Sequence, residues 1–342
     1  MNLRNAPAAD IRPALSLLKA FSALLFFAAL FGALPASAAG VAPDADEDLF
    51  TTPGGMRAAD PLLTIFYNAS TFGETRPCPT CGISAGAYGG MARRVGLFQE
   101  YRKRGKACLV LAGPYEFTAD DPFRFGHFAE EGRRNSLPPA AEAVFALKLH
   151  TLLHVDAGWI SQKAAGWLKK AAGNIPAGYV GIGGEPLDKI LQTPAGPVGI
   201  VFFSEGAVPG KGPSPEQERK ILERGRALRK KVPLLLGISP WGLTAEKSFL
   251  PRAGGIFDCI LGGGEGVGFG FSLAEKVPGL IWLRPDGKGR AVNVLELNKM
   301  PDGKGLFSWE EGKNFNARLD FMGEGVPEDK TALELISRQE NM

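Results

Sequence analysis

The side chains best placed for chemistry are the cysteine pair Cys78-Pro79-Thr80-Cys81 and three histidines, His127, His150 and His154, the only imidazoles in 342 residues. A C-x-x-C spacing lets two sulfurs close a small ring. It lowers a thiol pKa and supports reversible thiol–disulfide exchange, and Arg76 just upstream would favour the thiolate. The pair reads equally as a static loop-closing disulfide, or as half of a metal site still needing two ligands. Cys108 and Cys259 fall in strand-like apolar runs and make poor partners for such a site. His150 and His154 have the i, i+4 spacing of a helical chelate. No H-E-x-x-H context surrounds them, and a strand is expected to begin between them, so structural histidines are the favoured reading. Two glycine-rich stretches, 181–184 and 262–270, invite a phosphate-loop reading. Neither contains G-x-G-x-x-G or Gly-Lys-Ser/Thr, which leaves tight turns at strand ends.

The elements that would position these groups alternate along the chain. Strands are expected at 62–67, 108–112, 152–155, 198–203, 234–238 and 256–261. Helices are expected at 89–104, 139–149, 161–172 and 215–231, with a short one at 331–338. Near-continuous apolar strands between helices argue for sheets covered by helices. Near the C-terminus, apolar runs at 280–283 and 291–297 flank Pro285-Asp286-Gly287, a hairpin signal, so a parallel beginning and an antiparallel end are expected. The C-x-x-C loop follows the first strand, at the end where α/β folds hold their ligands. A Gly- and Pro-rich stretch at 208–215 reads as an exposed loop.

Composition narrows the function. Hydrophobic residues make up 45% and charged residues 22% of the chain, a globular balance. A net charge of +3, from 39 basic and 36 acidic side chains, argues against a nucleic-acid partner. Residues 1–38 carry a basic start (Arg4, Arg12, Lys19), an apolar run from Ala20 to Leu34 and Ala36-Ser37-Ala38, the pattern of a cleavable signal peptide. That run is too short to span a bilayer, for which about 20 residues are needed. An exported, periplasmic protein with no membrane span after cleavage is expected, with a flexible leader at 39–60 and one domain at 61–342. Four cysteines do not make a disulfide framework in so long a chain.

The order of segments is informative as a whole. Leu63-Thr64-Ile65-Phe66-Tyr67-Asn68-Ala69-Ser70-Thr71, the Cys78 loop, Leu109-Val110-Leu111-Ala112-Gly113-Pro114, Pro197-Val198-Gly199-Ile200-Val201, Ile256-Phe257-Asp258-Cys259-Ile260-Leu261-Gly262-Gly263 and Gly289 to Leu297 follow one another. This order resembles the N-terminal metal domain of the 5′-nucleotidase/UDP-sugar hydrolase family, within the calcineurin-like metallophosphoesterases. The Cys-bearing loop looks most like the UshA-like, selenoprotein-related branch. The resemblance implies a mixed α/β, four-layer fold: two packed mixed β-sheets flanked by helices. It also implies two metal ions at strand ends that activate a bridging water for attack on phosphorus, with ligands from five motifs. At the matching positions this chain has Ala69 and Thr71, Pro114, His154 and Asp156, Pro240, and Gly264 and Gly266. Ala, Pro and Gly offer no ligand atoms and Thr is a weak donor, and three histidines cannot supply the usual set under any alignment. The expectation is a phosphoesterase fold that has lost its hydrolytic centre and needs no cofactor, serving as a binding or scaffold protein. Its partner would be a small molecule or a periplasmic protein. The alternatives are a thiol-redox protein using Cys78 and Cys81, and a divergent phosphoesterase with a divalent metal. Through the resemblance, Glu116, Asp156, Glu185 and Glu265 are expected near the pocket.

Overall fold

Strands that are apolar on both faces can be buried only between two other layers, and this constraint builds the molecule. The computed structural model describes residues 60–78, 87–124, 130–131, 136–206, 212–273, 277–303 and 306–340. The expected signal segment, the leader up to residue 59, Cys81, His127 and residues 208–211 of the expected loop lie outside them. One six-stranded sheet runs β14-β13-β1-β4-β5-β6 and a second runs β11-β12-β10-β9-β8-β7. The first comprises β1 (Leu63–Asn68), β4 (Cys108–Ala112), β5 (Ala157–Ser161), β6 (Tyr179–Ile182), β13 (Ala291–Leu297) and β14 (Phe315–Phe321). The second comprises β7 (Leu187–Thr193), β8 (Gly196–Phe202), β9 (Leu234–Ser239), β10 (Cys259–Gly262), β11 (Phe269–Leu273) and β12 (Ile281–Arg284). A two-stranded ribbon pairs β2 (Pro77–Cys78) with β3 (Tyr88–Gly89).

Period-2 alternation along each strand sorts side chains into layers. On β1, Leu63, Ile65 and Tyr67 face the second sheet, where they meet Ile200, Leu236, Leu261 and Leu283 in the central core. Phe66 points the other way, into a layer with α1 (Met91–Lys103), α2 (Ala140–Leu152), α3 (Gln162–Ala172) and α6 (Lys330–Glu340). The outer face of the second sheet is covered by α4 (Pro215–Arg229) and α5 (Leu243–Ala253). The result is the expected arrangement of two mixed sheets between helical layers. Local signals are equally concrete. Ser161 caps α3 by accepting from the Ala164 amide, and Gly173 ends it in the left-handed region. Ser214 and Gln217 form a capping box ahead of α4.

Three expectations need correction. The segment 152–155 is not a strand: α2 continues to Leu152, and the strand is Ala157–Ser161. The expected hairpin between 280–283 and 291–297 does not form. β12 pairs in parallel with β10, β13 pairs antiparallel with β1, and the connection crosses from one sheet to the other. Both strands are buried on both faces, so each takes an interior place in a different sheet. Finally, antiparallel pairing is not confined to the C-terminal end: besides β13 with β14, β7 pairs antiparallel with β8 in the middle of the chain, and β7 and β14 lack a continuous apolar run.

Trp159 on β5 is fully buried between the sheets and donates through Nε1 to the Phe203 carbonyl at 2.9 Å. Replacing it with alanine removes a large side chain from the central core and orphans that carbonyl, so Trp159→Ala should destabilise the protein by about 3–5 kcal/mol. Urea or guanidinium unfolding followed by circular dichroism measures this.

Candidate functional site

The parallel strands of both sheets end on one side of the molecule, where ligand sites of α/β folds gather. Here the loops leaving the two sheets are locked onto each other. Tyr67 donates through Oη to the Gly262 carbonyl at 3.0 Å, the Gly264 amide donates to Ser70 Oγ at 3.0 Å, and Tyr115 Oη donates to the Pro240 carbonyl at 2.9 Å. The loops after β1 and β4 are laced together by Ser70 N to Pro114 O and Phe72 N to Tyr115 O, both 2.8 Å, and Gly73 N to Glu116 O, 3.1 Å. Ala69, Thr71, Pro114, Pro240 and Gly264 are thus brought together, as their places at strand ends imply. Their packing is tight. A Cβ on Gly263 would lie 2.5 Å from Pro114 Cγ and 3.3 Å from Ala69 Cβ. Gly266 stands farther out, against Leu243 at the start of α5.

His154 and Asp156 do not join this group. They precede β5 and lie at its N-terminal end, where Asp156 Oδ2 accepts from the Val110 amide at 2.7 Å and His154 is exposed. The end of β5 that reaches the site is Ser161. The misplacement follows from assigning the strand to 152–155, which moves the motif a whole strand length toward the N-terminus. His150 is a structural histidine: buried, stacked on Phe117 at 4.2 Å and bonded through Nδ1 to Tyr179 Oη at 3.0 Å. Burial, with Arg94 nearby, pushes its pKa down to about 3, so it stays neutral. Of the four acidic residues expected near the pocket, Glu116 and Glu265 are there. Glu185 instead pairs with Lys220. Cys78 is disulfide-bonded and half-buried in the β2–β3 ribbon, Cys108 and Cys259 are free thiols, and Cys81 lies outside the described residues.

Two buried carboxylates at the strand ends are matched by arginines. Glu116 Oε2 accepts from Asn68 Nδ2 at 2.7 Å and from Arg94 Nη1 at 3.2 Å. Glu246 accepts from the Gly263 amide and Trp282 Nε1, each at 3.1 Å, and pairs with Arg284. Arg284 Nη2 also donates to the carbonyls of Gly264 and Glu265, at 3.2 and 2.8 Å. Burial raises the pKa of both carboxyls and the guanidinium opposes the rise in each. Among the described residues, no group of three or more His, Cys, Asp or Glu side chains is placed to hold a metal ion.

Beside this locked seam lies a cavity of about 290 Å³. Phe72, Tyr115 and Trp241 form an aromatic wall, Asp120 and Glu205 an acidic one, and Lys163 and Glu265 also line it. Asp120 closes the 3₁₀ turn Thr118–Asp120 after β4. Its Oδ1 accepts from Ser161 Oγ at 2.5 Å, while its Oδ2 is shielded from solvent and has no hydrogen-bond partner among the described residues. Loss of solvent, then the neighbouring Glu205, outweighs the Ser161 bond and pushes the Asp120 carboxyl up to about 7. Glu205 Oε1 accepts from the Gln162 amide at the N-terminus of α3, at 3.3 Å, and burial raises its pKa too. Sequence reasoning misses Asp120, Ser161, Glu205 and all three aromatic residues. Ser161 and Glu205 have a readable signal, because Ser161 ends one buried strand and Glu205 is the first charged residue beyond another.

Asp120 gives a stability prediction. Its folded pKa lies above the ordinary aspartate value, so the stability it supports is complete near pH 4 and is lost as pH rises through about 7. Asp120→Asn should therefore have a higher Tm than the parent at pH 8, the gap closing as pH falls toward 4. Paired thermal melts across this range measure it.

No protein-family model matches the chain, and no curated protein matches it by sequence. Solved structures do resemble it. A 5′-nucleotidase precursor from Thermus thermophilus aligns with TM-score 0.56 and 15% identity, covering 82% of this chain and 58% of that one. The sulfate thiohydrolase SoxB of Thermus thermophilus aligns with TM-score 0.58 and 14% identity, covering 84% and 62%. The calcineurin-like phosphoesterase YfkN from Bacillus subtilis aligns with TM-score 0.52 and 12% identity over 82% of this chain and 96% of that one. The chain therefore spans about three-fifths of the first two proteins and nearly all of the third. It shares the fold of these structures, two mixed sheets between helical layers.

Proposed function

We propose that this protein uses a phosphoesterase fold for binding rather than hydrolysis, as an exported receptor or scaffold. The observation that carries the reading is the seam between the strand-end loops. A di-metal centre needs two cations and a bridging water between carboxylate and imidazole ligands. In this chain the corresponding space holds the Pro114 ring against Gly263 and Ala69, and the buried carboxylates Glu116 and Glu246 already have arginine partners. The donor set and the space do not fit such a centre. The adjoining cavity is also unsuited to a phosphate ester. A helix N-terminus would favour an anion, but that of α3 is met by the Ser161 hydroxyl and the Glu205 carboxylate. Export is inferred from the signal-peptide pattern of residues 1–38.

Protein purified without chelator should carry less than stoichiometric Mn, Zn or Fe and should show no EDTA-sensitive turnover of bis(p-nitrophenyl) phosphate. Stoichiometric metal together with turnover that EDTA abolishes would overturn the reading.

The disulfide at Cys78 favours a second reading, thiol–disulfide exchange, because the ribbon that carries it is half-buried rather than sealed in the core. The reduction potential separates the two roles. A redox-active pair should titrate well above about −300 mV, and a value below that marks an inert structural bond.

A further inference from the structure

The cavity beside the seam carries an excess of negative charge and an aromatic wall, and together these select a ligand class. We propose that it binds a small organic cation, an alkylamine or quaternary ammonium, with the charge against Asp120 and Glu205 and the alkyl groups on Phe72, Tyr115 and Trp241. This rests on the reading of the strand ends as a binding site.

Charge is the first argument. Among the described residues, Asp120, Glu205 and Glu265 line the cavity against a single ammonium, that of Lys163. Asp120 Oδ2 is shielded and, among the described residues, unpartnered. A buried polar atom left this way is costly, and more so when charged, so a cationic donor seated beside it recovers that energy. A neutral polyol could hydrogen-bond there but would leave the charge unbalanced. An anion would face two carboxylates at the capped end of α3.

The aromatic wall is the second. Ring faces carry negative potential and attract cations, most strongly when water is excluded. Phe72 and Tyr115 lie stacked with centroids 6.1 Å apart. Both hold left-handed backbone, at φ 54° and 65°, which is rare and costly for bulky residues and is found where the surroundings enforce it. The loop ladder described above enforces it here. The volume, about 290 Å³, suits a ligand at the small end of the usual range.

The test is isothermal titration with choline, tetramethylammonium and n-butylamine, with 3,3-dimethylbutan-1-ol as the neutral isostere of choline and glucose as a polyol. EDTA is present throughout, so the outcome is independent of any metal-dependent turnover that would overturn the non-hydrolytic reading. At least one cation should bind with a Kd below about 1 mM, at least tenfold more tightly than the isostere or glucose. Asp120 is faced by the Ser161 hydroxyl, Glu205, Lys163 and Glu116, and its ionisation near neutral pH should make cation binding tighten from pH 6 to pH 8. Asp120→Asn should weaken binding about tenfold, the loss expected for one desolvated charge contact, and should flatten that pH dependence. Glu205→Gln should weaken it as well, and Lys163→Gln should not. The proposal is overturned if no cation binds below about 1 mM, if the isostere or glucose matches choline, or if Asp120→Asn and Glu205→Gln both bind as the parent does.

Discussion

Everything at the strand ends depends on the face-to-face packing of the two sheets. The inward rows of β1, β4 and β5 meet those of β8, β9 and β10 in one apolar layer, and at its rim Tyr67 and Trp159 extend the contact by hydrogen-bonding carbonyls of the opposite sheet. With the sheets held at this spacing, the loops leaving them have little room. Gly113 shows the consequence, since a Cβ there would sit 2.2 Å from Tyr67 Oη. Only glycine permits the tyrosine to cross between the sheets at that point. The sheet interface therefore dictates loop composition, and loop composition dictates which ligands the site can hold.

Closing the loops on each other raises an electrostatic problem. Glu116 and Glu246 sit where water cannot reach them, and an isolated carboxylate is expensive there. In this molecule the compensating positive charge is guanidinium. Arg94 from the start of α1 and Arg284 from the end of β12 supply it, and Arg284 also gathers the carbonyls of Gly264 and Glu265. The positive charge near the strand ends is thus covalently part of the chain. In the neighbouring cavity, Asp120 Oδ2 has no such partner among the described residues. That contrast separates the carboxylates paired with arginine in the seam from the one that lines the cavity.

Much of this is legible in the sequence. Continuous apolar runs mark β1, β4, β8, β9 and β10 to within about three residues, and the period of α3 with Gly173 at its end marks that helix. Strands without such runs, β6, β7 and β14, escape recognition, because their burial comes from neighbours rather than from their own pattern. The error at 152–155 is more costly. Apolar residues ending a helix read as a strand, which displaces His154 and Asp156 from the site and hides Ser161. Glycine, proline and alanine at 69, 114, 240 and 264 can be read as missing ligands. Their role in joining the loops cannot, because it exists only once the two sheets face each other.

Cys259 has a practical consequence. It is a free thiol at the start of β10, wholly buried in the central layer, and burial raises its pKa well above that of an ordinary cysteine. The thiolate is the reactive form, so an alkylating reagent can reach this sulfur only when the layers part. The chain thus contains its own reporter of opening. The rate at which Cys259 is labelled tracks excursions of the whole sheet interface, whereas Cys108, half-exposed at the start of β4, reports on the edge of the fold.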